Sequence, residues 1–186
     1  MAQELSKSRI TTGKVLLSFV HVFKPTAIEE GQEPKYNIQV IVSKKDKATL
    51  SKINAAVEVA TKKAVAEKYA GKMPKKWKTP LRDGDEEKED DEAYQNSFFL
   101  ATTSKRKPKV VDRNFNEILD PEELYSGCYA AVCINFYAYD VAGNKGIAAG
   151  LESIMKLGDG TPLGGSGGNV KDDFAEFADM EDEDLD

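Results

Sequence analysis

The sequence predicts a mainly β domain with one main helix, closed into a small antiparallel barrel of five or six strands and followed by a disordered acidic tail. Three observations predict it. Apolar residues recur in a series of short segments bounded by Gly, Pro and Asn. A single stretch carries helical periodicity, and acidic residues crowd into the C-terminal segment. No repeated strand-helix alternation is present, which sets aside a parallel α/β sheet.

The elements follow in order. Segment 13–23 (GKVLLSFVHVF) reads as a strand, ended by Pro25 and a polar turn running to Pro34. Segment 36–42 (YNIQVIV) is its hairpin partner across a long loop. A helix then starts with Ser43 as N-cap and Asp46 three residues on; Leu50, Ile53, Val57, Ala60 and Ala64 keep one face apolar down to Tyr69, and Gly71 and Pro74 end it. From 71 to 96 no periodicity survives, so a long loop is expected, basic in its first half and acidic in its second. Segment 97–103 (SFFLATT) is a third strand and 110–113 a short fourth, followed by a helical turn near Leu124. The strongest strand is 128–139, and after the Gly143-Asn144 turn the last is 146–154.

The strand at 128–139 has two different faces. Ala130, Val132, Ile134, Phe136 and Ala138 form an apolar one that belongs to a core. Tyr129, Ala131, Cys133, Asn135, Tyr137 and Tyr139 form the other, aromatic and hydrogen-bonding, on which nucleobases could stack. Strands in this number and order make an OB-fold the natural candidate, and that barrel's recurring use is oligonucleotide binding.

Length and charge sharpen the picture. The 186 residues suffice for one domain with tails, and 40% hydrophobic content can build a core. The net charge of -6 is unevenly spread. Segment 171–186 holds nine acids and one lysine, and segment 83–92 eight acids and one lysine, so the remaining body carries +9. Such asymmetry points to nucleic acid. The expected organisation is a binding domain over 1–157, a Gly-rich flexible linker over 158–170 and an acidic tail over 171–186. No apolar run reaches the roughly 18 residues of a membrane helix, and the N-terminal residues are polar, so a soluble protein is expected.

The candidate nucleic-acid-binding residues follow. Tyr137 and Tyr139, on one face about 7 Å apart, and Tyr129 can stack bases; the competing reading is a packing pair or a homodimer contact. Trp77 lies between Lys75, Lys76 and Lys78, with Arg82 following; it either stacks on a base or anchors its loop in the core. Phe99, alternating with Phe98 and Leu100, is a further base contact or a core residue. Lys105, Arg106, Lys107, Lys109 and Arg113 form a basic rim that can track phosphates. Lys14, Lys35 and Lys145 read as ordinary surface.

No enzyme is expected. The stretch GDGTPLGGSGG lacks the Gly-Lys-Ser/Thr ending of a phosphate loop, and His21, the single histidine, gives no His-based triad or metal cluster. Cys128 and Cys133, five apart in one strand, lie too far from each other to bridge and read as small hydrophobes. An EF-hand beginning at Asp83 would need glycine where Lys88 stands, so the acidic block reads as a solvated loop or a regulatory contact with the basic groove. Neither a cofactor nor a metal is expected.

Two segments carry a family resemblance: TPLRDGDE (79–86) and NFYAYDVAGNKGIAAGLESIMKLGDGTPLGG (135–165). With them, the region from about 13 to 165 resembles a phage single-stranded-DNA-binding family typified by the protein of an Enterobacter phage. The resemblance implies an OB-fold that coats single strands during phage DNA replication or recombination, in the cytoplasm of the bacterial host. It implies single-stranded DNA as the partner; from its own residues the tail is expected to compete for the groove as a polyanion and, once freed by DNA, to recruit replication or recombination proteins, with Phe174 and Phe177 as its apolar anchors. By composition the tail is similar to those of other single-strand-binding proteins, although this chain ends Asp184-Leu185-Asp186 where relatives often end in an aromatic. The competing functions are a strand-annealing recombination protein and a protein-interaction module whose tail mimics DNA.

Overall fold

A computed structural model describes residues 8–27, 30–163 and 177. Its elements are β1 (Arg9–Thr11), β2 (Val15–Thr26), β3 (Lys35–Ser43), α1 (Lys47–Lys68), β4 (Arg82–Asp83), the short α2 (Gly84–Glu87), a 3-10 turn (Glu92–Tyr94), β5 (Ser97–Ser104), β6 (Lys109–Val111), β7 (Tyr129–Val141) and β8 (Asn144–Gly158). The sheet runs β1-β7-β2-β3-β5-β8-β6, and the pairing of β7 with β8 closes β2, β3, β5, β8 and β7 into a five-stranded ring. This is the mainly β barrel with one main helix that the sequence predicts. One seam differs from the antiparallel expectation: β8 runs parallel to β5 and β6. Between β5 and β8 the chain runs through β6 and the ring strand β7, so β8 reaches β5 as a long-range closure that no local pattern announces.

The core is the inside of the ring. Leu17 and Val22 of β2, Ile38 and Val40 of β3, Leu100 of β5, Val132, Ile134 and Phe136 of β7, and Ile147, Leu151 and Ile154 of β8 are at most 4% exposed. Within each regular run these are the inward positions of the pleat, and the register shifts in β2 and β8 change the parity between Leu17 and Val22 and between Leu151 and Ile154. α1 lays Leu50, Ile53, Ala56 and Ala60 onto the same core, and Ala64 on the same face is buried as well. Its N-cap is Asp46, whose carboxylate accepts from the Thr49 amide at 3.1 Å, in place of the expected Ser43.

Two further expectations are revised. The segment 71–96 carries β4, α2 and the 3-10 turn, because Asp83 and Asp91 cap those turns and Lys44, far away in sequence, bridges Asp83 at 2.9 Å and Asp85 at 2.7 Å. Near Leu124 the chain makes the expected turn, closed by Glu123 N donating to the Asp120 carbonyl at 3.0 Å, and Leu124 is buried. The expected linker is tied to the body in its first residues: β8 reaches Gly158, Gly160 N donates to Tyr125 Oη at 3.1 Å, and Leu163 N donates to the Ser126 carbonyl at 2.9 Å. The expected tail over 171–186 lies outside the described residues apart from Phe177.

Candidate nucleic-acid interface

Strand register places a row of small or hydrogen-bonding residues across the outside of the barrel. His21 pairs with Asn37, Asn37 with Thr103, Thr103 with Gly150, Gly150 with Asn135, and Asn135 with Arg9. Strands lie about 4.8 Å apart, so this row crosses roughly 24 Å of surface. Around its β2–β3–β5 end, Phe19, His21, Asn37, Gln39 and Ala101 line a groove of about 230 Å³. Phe19 owes its position to a register shift in β2: its φ of 48° breaks the pleat and leaves the ring 47% exposed. Lys88 Nζ stands 5.8 Å from that ring, and Lys107 Nζ 5.9 Å from the ring of Phe23.

Next to the row sits Tyr137, 44% exposed. A Cβ on Gly150 would come within 3.2 Å of Tyr137 Cε1, so glycine is what allows the ring to lie down over β8. Tyr139 follows two residues on and is half-buried. Tyr129, eight residues earlier, is roughly 26 Å away along the strand and packs under Lys14, whose Nζ is 4.6 Å from its ring. The structure thus brings together Tyr137 and Tyr139 and leaves Tyr129 at the other end.

The basic rim begins one residue beyond Thr103. Ser104 Oγ accepts from the Arg106 amide at 3.1 Å and donates to its carbonyl at 2.7 Å, a tight turn that leaves Lys105, Arg106 and Lys107 exposed. Lys109 opens β6 beside Ser153, and Arg113 is exposed on the turn that follows. Lys75 and Lys76 are exposed as well. Lys78 is held on the β7–β8 hairpin, its ammonium 2.8 Å from Asn144 Oδ1 and its carbonyl accepting from Ile147 N.

Three sequence candidates are engaged by neighbouring side chains of the body. Phe99 does point outward, opposite Leu100, but Tyr94 packs edge-on against it at 5.1 Å and closes it to 0% exposure. Trp77 anchors its loop on α1, with Nε1 3.3 Å from Thr61 Oγ1 and its ring edge-on to Tyr69 at 5.9 Å. Arg82 is engaged by Glu87 through Nε at 2.9 Å, and this pairing raises the arginine's pKa further. Of the tail anchors, Phe177 is exposed and Phe174 lies outside the described residues.

The sequence reading missed Phe19, Phe23, Asn37, Gln39, Thr103 and Arg9, and set His21 aside. The signal for Asn37 and Gln39 was present: they alternate with Ile38 and Val40, as an outward polar face must. Phe19 carried none, since a bulge cannot be read from alternation. Among the described residues no group of three or more His, Cys, Asp or Glu side chains is placed to hold a metal ion, and no helix is long and apolar enough to cross a membrane.

Residues 8–185 match the family model described as Enterobacter phage Enc34, ssDNA-binding protein. A curated relative, protein p50 of Acyrthosiphon pisum secondary endosymbiont phage 1, is 29% identical over 95% of this chain and 98% of its own. Among solved structures, the single-stranded DNA-binding protein of bacteriophage Enc34 in complex with ssDNA aligns with a TM-score of 0.74 at 26% identity, over 84% of this chain and 90% of that one. The gp2.5 single-stranded DNA binding protein of bacteriophage T7 aligns with a TM-score of 0.60 at 18% identity, over 94% and 95% of the two chains, and bears on the fold alone.

Proposed function

Since the chain belongs to the family of the Enterobacter phage Enc34 ssDNA-binding protein, we propose that it coats single-stranded DNA with little sequence preference during phage DNA replication or recombination. The observation that carries this is the barrel's likeness to a relative solved with ssDNA. The outward row supplies the path. Tyr137, Tyr139 and Phe19 offer exposed or half-buried rings, and base stacking accepts any base because every base has a π-face. His21, Asn37, Thr103 and Asn135 offer hydrogen bonds from a surface narrow enough in side chain for a strand to approach. Lys105, Arg106, Lys107 and Lys109 neutralise phosphates along one bank, with Lys75, Lys76 and Arg113 as outer contacts. The acidic tail competes for this basic surface when DNA is absent and recruits partner proteins, through Phe174 and Phe177, when DNA displaces it. The organisation that serves this is one binding domain, a linker beyond 163 and the tail.

The test is a titration of end-labelled oligo-dT followed by anisotropy over a range of salt. Trp77, held against α1, is a poor reporter here. Log K should fall against log salt at about -0.7 for each phosphate neutralised. Replacing Lys105, Arg106 and Lys107 with glutamate should weaken binding to all base compositions alike and flatten that slope by about 2. Absence of binding at low salt would refute the coating function, and a loss confined to one base composition would refute the non-specific mechanism.

A further inference from the structure

Beside Tyr137 the outward row opens into a second concavity. β1 pairs with β7 only at positions 133–135, whereas β8 accompanies β7 along its length. Past Asn135, α1 lies along the other edge of β7, and the space between helix and strand is a cleft of about 430 Å³. That volume falls within the roughly 300–1,000 Å³ of small-molecule sites. The cleft is short. At one end the Ser8 carbonyl accepts from Phe136 N at 2.7 Å; past the other, Tyr69 Oη donates to Asp140 Oδ2 at 3.2 Å. Such a space suits one compact unit better than a running peptide strand.

The walls suit a nucleotide. Phe136, Ala60 and Ala64 provide an apolar floor, each no more than 6% exposed. Asn135 and Tyr137 stand on the strand side, and Tyr137 also borders the outward row, so a strand crossing the row meets the cleft without a gap. Lys63 and Lys68 occupy the helix side with Glu67 between them, which leaves that rim net positive. We propose that the cleft takes one nucleotide of the bound single strand, its base against the apolar floor and the β7 edge at Tyr137, and its flanking phosphates against Lys63 and Lys68. This inference rests on the row being the DNA path.

A length series of oligo-dT separates the two ideas. For the full-length protein, affinity should rise through an extra step once an oligonucleotide is long enough to pass Tyr137 and enter the cleft. In K63Q/K68Q that step should vanish and the salt slope on long oligonucleotides should flatten by about 1.4, while the shortest oligonucleotides bind as before. Val59→Phe, which narrows the cleft from the helix side, should remove the same step. Lys62→Gln is the control: Lys62 pairs with Glu58 at 2.9 Å and does not line the cleft. If K63Q/K68Q matches Lys62→Gln at every length, the inference is wrong. An equal loss at every length also overturns it, since that is general attraction and no subsite. If the unaltered protein binds no oligonucleotide at all, the DNA path itself fails.

Discussion

Two aromatic residues on outward strand positions, Tyr137 and Phe99, have opposite fates. Only Tyr137 could be given an outward face from the sequence, since its strand has one wholly apolar face, whereas Phe98, Phe99 and Leu100 leave both faces of theirs apolar. What parity cannot tell is whether another segment covers that face. Tyr137 stays open because Gly150 gives its ring a shelf, whereas Phe99 is roofed by Tyr94, whose hydroxyl donates to Gln39. The two substitutions should therefore separate cleanly. Tyr137→Ala should cost about 1–3 kcal/mol in single-strand binding and leave the melting temperature nearly unchanged. Phe99→Ala should cost about 3–5 kcal/mol in stability, read as a lowered denaturation midpoint. If Phe99→Ala lost DNA affinity at full stability, the assignment of Phe99 to the covered cluster would be wrong. A similar limit hid the need for Gly146. A Cβ there would fall 2.3 Å from the Lys78 carbonyl, a contact between positions 68 residues apart on which the local turn sequence is silent.

At the scale of elements, the regular strands and α1 were legible and the acidic block was not. Period-two alternation and helical spacing are local properties, so β2, β3, β5, β7, β8 and α1 could be placed from their own residues. β1 is three residues long and too short to show a period. The block from Asp83 to Glu92 lacked periodicity because its order comes from capping and from Lys44. That lysine holds the Asp85 carboxyl below the usual aspartate range, helped by the Asn96 amide, and its own pKa is raised in return by Asp85 and Asp83. The sign follows. A carboxylate with a lowered folded pKa contributes stability above its unfolded value, about 3.9, and loses it as pH falls through the folded one. Protection of the Asn96 amide, which donates to Asp85 Oδ1 at 3.0 Å, should therefore persist at neutral pH and be lost progressively as pH falls below about 4. Lys44→Ala should raise Asn96 exchange at neutral pH without unfolding the barrel. Exchange that stayed slow in that variant would mean the block holds itself in place. Because Tyr94 of the 3-10 turn roofs Phe99 and Lys88 approaches Phe19, the same variant would reveal whether the block shapes one end of the proposed DNA path.

For the whole molecule, neither the parallel seam nor the path across the barrel could be read in advance, because both depend on which strands meet after the chain has travelled around the ring. Charge asymmetry, in contrast, is additive over segments and needs no coordinates. It gives a body of +9 outside its acidic block and a final segment of -8. The structure adds that Leu163, the last residue of the continuous described chain, lies beside the acidic block, with its amide held by the Ser126 carbonyl. The residues beyond 163 are thus joined to the body at a fixed point, and in the proposed competition a short linker would give the tail an effective concentration in the millimolar range, at which even weak lysine-carboxylate contacts would compete with DNA. A chain ending at Val170 should then bind oligo-dT more tightly than the full chain at low salt. The gap should close as salt approaches 1 M, where charges are screened beyond about 3 Å. Phe174→Ala and Phe177→Ala should leave this gap unchanged if competition is electrostatic, since they remove rings and no charge. Equal affinities for the two chains at low salt would remove the competition from the mechanism and leave the tail to partner recruitment alone.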